Sequence, residues 1–237
     1  MTVSIQIKGR LVEGIFKERL TRFSALVMLK NEIYEVFLPN PGRLEELLTF
    51  GAKVVLKKSL HSKRKTAYDL IGVYHKGQKF SVDSRIPNKL IFEALKKQAL
   101  KEFVGYSVIK TEAYYGHTRF DFLLNNGQKS CFLEVKSCTL AKNGVAMFPD
   151  AKTKRGTRHV LDLVKAKKEG YRACLLFLIQ RTDAYAFSPN DTVDPEFGKA
   201  LRKAASQGVE VYAYSSKFVG NKIILNDKVK VVLLLKS

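Results

Sequence analysis

Asp121, Glu134 and Lys136 stand in two short apolar segments, Arg119-Phe120-Asp121-Phe122-Leu123-Leu124 and Cys131-Phe132-Leu133-Glu134-Val135-Lys136-Ser137. Aromatic, aliphatic and β-branched residues dominate both, so each reads as a buried strand. The residues between them, 125–130, carry the turn dipeptide Asn126-Gly127, which sets the strands side by side as an antiparallel hairpin. Side chains two apart on a strand share a face, so Glu134 and Lys136 project together, and the hairpin can bring Asp121 alongside. Two carboxylates and an ammonium on an apolar sheet are costly unless they bind one another, a metal or an anion.

An acid two residues before a lysine is no evidence by itself. About three such triplets are expected by chance in a chain of this composition. Two occur, Glu134 to Lys136 and Asp150 to Lys152. Their settings differ: Asp150 follows Pro149 in a polar loop, whereas Glu134 lies within an apolar strand that has Asp121 on its neighbour.

The elements that must hold these residues can be read around them. Short strands are expected at 11–17, 25–30, 32–38, 52–58, 68–75 and 80–83, with one helical stretch at 42–50, and the first eight residues also read as a strand. That density of strands with a single interposed helix suggests a small OB-like β-barrel. Near Ser84 the period changes. An amphipathic helix is expected over 88–103, then strands at 107–115, 118–124 and 129–139. A helix capped by Thr157 and closed by Gly170 follows, then a buried strand at 171–179. A helix opened by Asp194-Pro195-Glu196, a strand at 209–214 and short strands near 223–235 complete the order. The expected fold is therefore two domains: an N-terminal OB-like β-barrel at 1–83 and a C-terminal α-β-β-β-α-β mixed sheet at 84–237.

Charge points to the partner. The chain of 237 residues carries a formal net charge of +20. Residues 1–83 hold 15 Lys+Arg against 8 Asp+Glu, net +7, and residues 84–237 hold the remaining 27 against 14, net +13. Both halves are basic, so a polyanion such as DNA can touch both. No run of about 18 apolar residues occurs and no basic helix has a bulky apolar face, which argues against a membrane partner. The three cysteines, Cys131, Cys138 and Cys174, sit in apolar segments and read as reduced core residues of a cytoplasmic protein. No helix-turn-helix reader and no nucleotide-cradling glycine loop is visible, which leaves base-specific recognition and sugar-nucleotide chemistry without a device.

The order of elements with Asp121, Glu134 and Lys136 resembles the PD-(D/E)xK nuclease superfamily, although Phe120 rather than proline precedes Asp121. That resemblance implies Asp121 and Glu134 as ligands of Mg²⁺ or Mn²⁺, with Lys136 orienting the attacking water and offsetting transition-state charge. A further acidic ligand is expected from an earlier element; alternation on the preceding strand favours Glu112 over Glu93, which Lys97 can pair. Over nearly its whole length the chain is also similar to the sugar fermentation stimulation protein family. Seven blocks carry this: Pro39-Asn40-Pro41-Gly42-Arg43-Leu44, Tyr68-Asp69-Leu70-Ile71, Arg119-Phe120-Asp121, Glu134-Val135-Lys136-Ser137-Cys138-Thr139-Leu140, Met147-Phe148-Pro149-Asp150-Ala151, Thr153-Lys154-Arg155-Gly156-Thr157-Arg158-His159 and Asp191-Thr192-Val193-Asp194-Pro195-Glu196-Phe197. This resemblance implies the OB-like and nuclease-like pair of domains, DNA binding, and a regulatory tie to sugar metabolism.

The remaining blocks suggest phosphate contacts. Lys152, Lys154, Arg155, Arg158 and His159 crowd a helix start, where backbone N–H groups also favour anions; the plain alternative is a solvated helix end. His159 reads as a phosphate contact, with catalysis and simple packing as its other uses. Arg43 and the loop residues Lys63, Arg64 and Lys65 are the barrel's contact candidates, against a rigid turn and a solvated loop. Gln180, just past the buried strand, is expected to support the site from behind. Two functions stay open: a metal-dependent deoxyribonuclease with an OB-fold clamp, or a DNA-binding regulator on the same fold with little or no cleavage. Oligomeric state is undecided between a monomer and a homo-oligomer.

Overall fold

A computed structural model describes residues 2–59 and 64–233. Among the described residues, strands and α-helices form in the order β1 (Ser4–Gln6), β2 (Leu11–Thr21), β3 (Ser24–Leu29), β4 (Glu32–Phe37), β5 (Lys53–Lys58), β6 (Tyr68–His75), β7 (Gln78–Ser81), α1 (Ile86–Lys96), β8 (Ser107–Tyr115), β9 (Thr118–Asn125), β10 (Ser130–Cys138), β11 (Ala141–Lys142), β12 (Val145–Phe148), α2 (Lys154–Lys168), β13 (Arg172–Ile179), β14 (Ala186–Pro189), α3 (Pro195–Ser206), β15 (Glu210–Val219), β16 (Lys222–Lys228) and β17 (Lys230–Val231).

The first sheet runs β4-β3-β2-β5-β6-β7 and closes through a parallel contact of β4 with β6, Phe37 opposite Asp69. Closure removes the free edges, and with this strand order gives the OB-like barrel. Phe16, Val27, Val36, Leu56, Leu70 and Val73 fill it. The helix expected at 42–50 is a series of turns instead. Pro41 lacks an amide proton and Leu44 takes φ 57°, which break a helical start; only Leu47 and Leu48 bond back to the Leu44 carbonyl. Asn40 fixes this loop: its Oδ1 accepts the Gly42 amide and its Nδ2 donates to the Val82 carbonyl, each at 2.8 Å.

The second sheet runs β1-β16-β15-β13-β10-β9-β8, with β10, β13 and β15 parallel and the rest antiparallel. α1 and the barrel face Val55 and Ile71 cover one side; α2 and α3 cover the other. A helix on each face explains why 173–179 is apolar throughout rather than alternating. The first strand is a correction: expected in the barrel domain, β1 pairs antiparallel with β16 in the larger sheet. The helix expected over 88–103 is α1 followed by a separate 3₁₀ turn at Lys101–Phe103. The second helix also starts earlier than expected. Thr153, not Thr157, is its cap, with Oγ1 accepting the Gly156 amide at 3.0 Å.

Arg181 joins the two layers. Only 3 % exposed, it bonds Glu46 of the barrel loop, Asp183 and the Thr139 carbonyl.

Candidate metal and phosphodiester site

The hairpin β9–β10 is built by its turn. Asn125 Oδ1 accepts the Gly127 amide and Asn126 Oδ1 accepts that of Lys129, while Gly127 takes φ 88°. Rungs run from Ser130↔Asn125 to Leu133↔Phe122 and stop there. The next pair would be Glu134 opposite Asp121. There β9 changes face: Phe122 packs toward α1, with its ring 6.2 Å from Phe92, whereas Phe120 packs toward α2, 5.3 Å from Phe132 and 6.0 Å from His159. Asp121, between them, lies in the gap that opens beside β10. Its Oδ2 accepts the Val135 amide at 2.7 Å, a proton that the strand carbonyl no longer takes, and its Oδ1 accepts from Asn88 of α1 at 2.5 Å.

Glu134 is 3 % exposed and sits on the α2 side. Its Oε1 receives both the Lys136 ammonium and His159 Nδ1, the latter at 2.7 Å. Arg155 Nε donates to His159 Nε2 at 3.2 Å. A guanidinium can only donate, so Nε2 is the acceptor and Nδ1 carries the proton toward Glu134. Glu134 Oε2 is buried with no partner among the described residues. Burial pushes the Glu134 carboxyl up, yet the Lys136 charge and the hydrogen bonds from His159 and Lys136 outweigh that and hold it below its ordinary value. Asp121 goes the other way: burial first, then the Glu134 charge, lift it to about 7 against the opposing bonds.

A divalent cation fits this pair on two counts. An orphaned, desolvated carboxylate oxygen calls for a partner, and a nearby acid made hard to ionise by burial and by that carboxylate is relieved by positive charge between them. Asp121 and Glu134 are the residues that would hold it, with water filling the remaining positions of a hard cation. Glu112 is a correction. Its φ of 51° turns it off the strand pattern, it pairs with Arg119 at 3.5 Å, and its side chain is 65 % exposed. Among the described residues no three of His, Cys, Asp and Glu gather at metal-binding range.

The phosphate candidates separate. Lys152, Lys154, Arg155 and Arg158 are exposed around the start of α2, in the turn whose Arg155 reaches the Glu134–His159 pair. His159 itself, 1 % exposed, is a buried partner of Glu134 and not a surface contact. Arg64 is also a correction: it binds Asp69, 1 % exposed, at 2.8 Å and lies over Phe37, so its charge is spent inside the barrel rim. Lys65 and Arg43 are exposed, with only Glu35 at 3.9 Å and Glu45 at 3.8 Å beside them. Lys63 lies outside the described residues. Gln180 donates to Ser137 Oγ at 2.9 Å, next in the chain to Lys136, and touches neither carboxylate. Asn88 and the Arg155–His159 relay went unread in the sequence. Asn88 carries no charge and meets Asp121 only through the tertiary fold; the relay was visible only as an Arg/His pair four apart.

An OB-like barrel joined to a nuclease-like mixed sheet, with an acidic pair and a lysine where one strand leaves another, defines the class of this protein. Residues 18–82 match the family model of the SfsA N-terminal OB domain, and residues 85–222 that of the sugar fermentation stimulation protein RE domain. The chain belongs to the sugar fermentation stimulation protein family. It is 45 % identical over 227 residues to the sugar fermentation stimulation protein homolog of Caldanaerobacter subterraneus subsp. tengcongensis, covering 96 % of this chain and 99 % of the relative. The homolog of Clostridium perfringens strain 13 is 43 % identical over 222 residues, covering 93 % and 96 %. The structure of Pyrococcus furiosus SfsA in complex with Ca²⁺ is similar with a TM-score of 0.89 at 29 % identity, covering 96 % of this chain and 99 % of that one. Among the described residues no helix is long and apolar enough to cross a membrane.

Proposed function

We propose that this protein binds DNA and hydrolyses its phosphodiester bonds with Mg²⁺ or Mn²⁺. The observation that carries the reading is the unpartnered Glu134 Oε2 beside an Asp121 whose pKa burial and the Glu134 charge raise to about 7. A relative that binds Ca²⁺, another hard oxygen-seeking cation, supports it. When bound, the metal supplies a Lewis acid for the phosphate and lowers the pKa of a coordinated water. The chain's own parts set the stage. Asn88 and the Val135 amide orient Asp121, and His159, steadied by Arg155, orients Glu134. Lys136 places a positive charge where negative charge grows on the phosphate in the transition state. Lys152, Lys154, Arg155 and Arg158 hold the flanking backbone, and the net charge of +20 draws it in.

A second reading, a DNA-binding regulator that does not cut, is favoured by one observation: an ion pair from Lys136 and a hydrogen bond from His159 already satisfy Glu134 Oε1. Three buried free cysteines, Cys131 and Cys174 among them with sulfurs 3.6 Å apart, fit a reducing cytoplasm under either reading.

The test is incubation of linear duplex and single-stranded DNA with Mg²⁺ or Mn²⁺, comparing the wild type with Asp121→Ala and Lys136→Ala. Metal-dependent cleavage lost in both variants is expected. Cleavage unchanged in both overturns the nuclease assignment, and binding with no cleavage by the wild type supports the regulator.

A further inference from the structure

A second cluster of cations lies on the α1 side of the same site. A cleft of about 350 Å³ opens between the barrel, the segment after β1 and the start of α1. Lys8, Lys57, Arg85 and Lys89 line it, with Asp83 and Gln6 between them. The acids here are already neutralised. Asp83 takes two bonds from Arg85, at 2.6 and 2.8 Å, and Asp69 behind it takes Lys57 at 3.4 Å, Arg64 at 2.8 Å and Arg85 at 3.0 Å. Lys8 and Lys89 are exposed and engage no acid among the described residues. The cleft therefore presents surplus positive charge that no group among the described residues consumes. Lys89 directly follows Asn88, the residue that holds Asp121, so the cluster begins one step along α1 from the carboxylate pair.

We infer that this cleft is a second phosphate-binding arm, taking the backbone of the DNA on the side of the site opposite to the α2 arm. The inference rests on the DNA reading above and deepens it. Cations strung from the barrel past the segment after β1 to α1, rather than converging on one point, suit a run of phosphodiesters better than a single small anion. A strand held by Lys8 and Lys89 on one face and by Lys154 and Arg155 on the other crosses the gap where Asp121 and Glu134 stand. Its scissile phosphate is then fixed from both sides.

The test is the salt dependence of binding of fluorescently labelled 30-mer single-stranded and duplex DNA, in EDTA so that no cleavage intervenes. Three double variants are compared with the wild type: Lys8→Glu/Lys89→Glu, Lys152→Glu/Lys154→Glu, and Lys199→Glu/Lys203→Glu on exposed α3 positions, which changes net charge equally. Each lost phosphate contact lowers the slope of log K against log salt by about 0.7 on single strands and about 0.9 on duplex. The first two variants are expected to lose about 1.4 to 1.8 in slope, and the α3 variant much less. If Lys8→Glu/Lys89→Glu behaves as the α3 variant while Lys152→Glu/Lys154→Glu loses slope, the second arm is overturned and the DNA reading stands. If the wild type binds neither DNA, both fall. Circular dichroism on each variant reports folding; all six lysines are exposed and engage no acid among the described residues, so the fold is expected to persist.

Discussion

Asp121 Oδ2 accepts the amide proton of Val135 at 2.7 Å, one rung beyond the last pair of the β9–β10 ladder. A side chain thus finishes hydrogen bonding that the backbone leaves open, and the residue able to do so is an acid held beside a second acid. The site is assembled from a defect in a sheet.

Asp121 titrates near 7 in the folded protein against an ordinary 3.8. Between these values the folded state keeps a proton that the unfolded chain has released, so this group's contribution to stability is greatest below about pH 4 and is lost as pH rises through 7. Asp121→Asn removes the titration. In EDTA, the stability of Asp121→Asn relative to wild type should rise between pH 4 and 7, by up to about 4 kcal/mol at 1.36 kcal/mol per pH unit. Urea denaturation at several pH values measures it; a constant difference would show that Asp121 is not held protonated.

Lys136→Ala strands the Glu134 carboxylate in a buried position with His159 alone. Loss of one member of a buried pair costs about 3–5 kcal/mol, whereas replacing both with neutral groups of similar size is nearly harmless. The double variant Glu134→Gln/Lys136→Met is therefore expected to recover most of the stability lost by Lys136→Ala. Chemical denaturation of the three proteins decides this.

His159→Ala separates structure from binding. It leaves a cavity under Phe120 and frees Arg155, with an expected cost of about 2–4 kcal/mol. Because His159 reaches no solvent, the salt slope of DNA binding should match the wild type. A slope reduced by a full contact would return His159 to the phosphate surface.

Gly42→Ala would place a Cβ 2.3 Å from Asp150 Oδ2, and Asp150 is fixed by the Arg43 and Leu44 amides. The side chain cannot swing away without losing those bonds, so a loss of about 1–3 kcal/mol is expected. Asp150→Ala removes the collision, and a double-mutant cycle should therefore show coupling between the two positions.

What could be read from the chain alone was what local chemistry dictates. The Asn126-Gly127 turn and the apolar runs beside it located the hairpin to within a residue or two, because turn preference and alternation act over a few positions. The start of α2 was misread by one helical turn. Thr153 and Thr157 are equal as capping residues, and the choice falls to Thr153 because its hydroxyl reaches the amide of Gly156, where a Cβ would crowd that hydroxyl at 2.8 Å. Glu112 was misplaced because a positive φ in mid-strand leaves no mark in an acidic residue. Asn88, the Arg155–His159 bond and the Asp69 cluster were missed for another reason. Their meaning comes from residues that only the tertiary fold brings near.

β1 carries a consequence for how the molecule comes into being. Ser4 pairs with Ile224, so β1 finds its partner only on the far side of the barrel and of the rest of the larger sheet in chain order. The barrel can close on its own strands β2 to β7, whereas the β16 edge of the larger sheet is completed by a strand that precedes the barrel in sequence, a pairing of high sequence separation and therefore slow to form. That pairing ties the barrel and the site into a single loop of chain. A protein made from residue 84 onward would lack that strand, and its bare β16 edge would be free to recruit another chain.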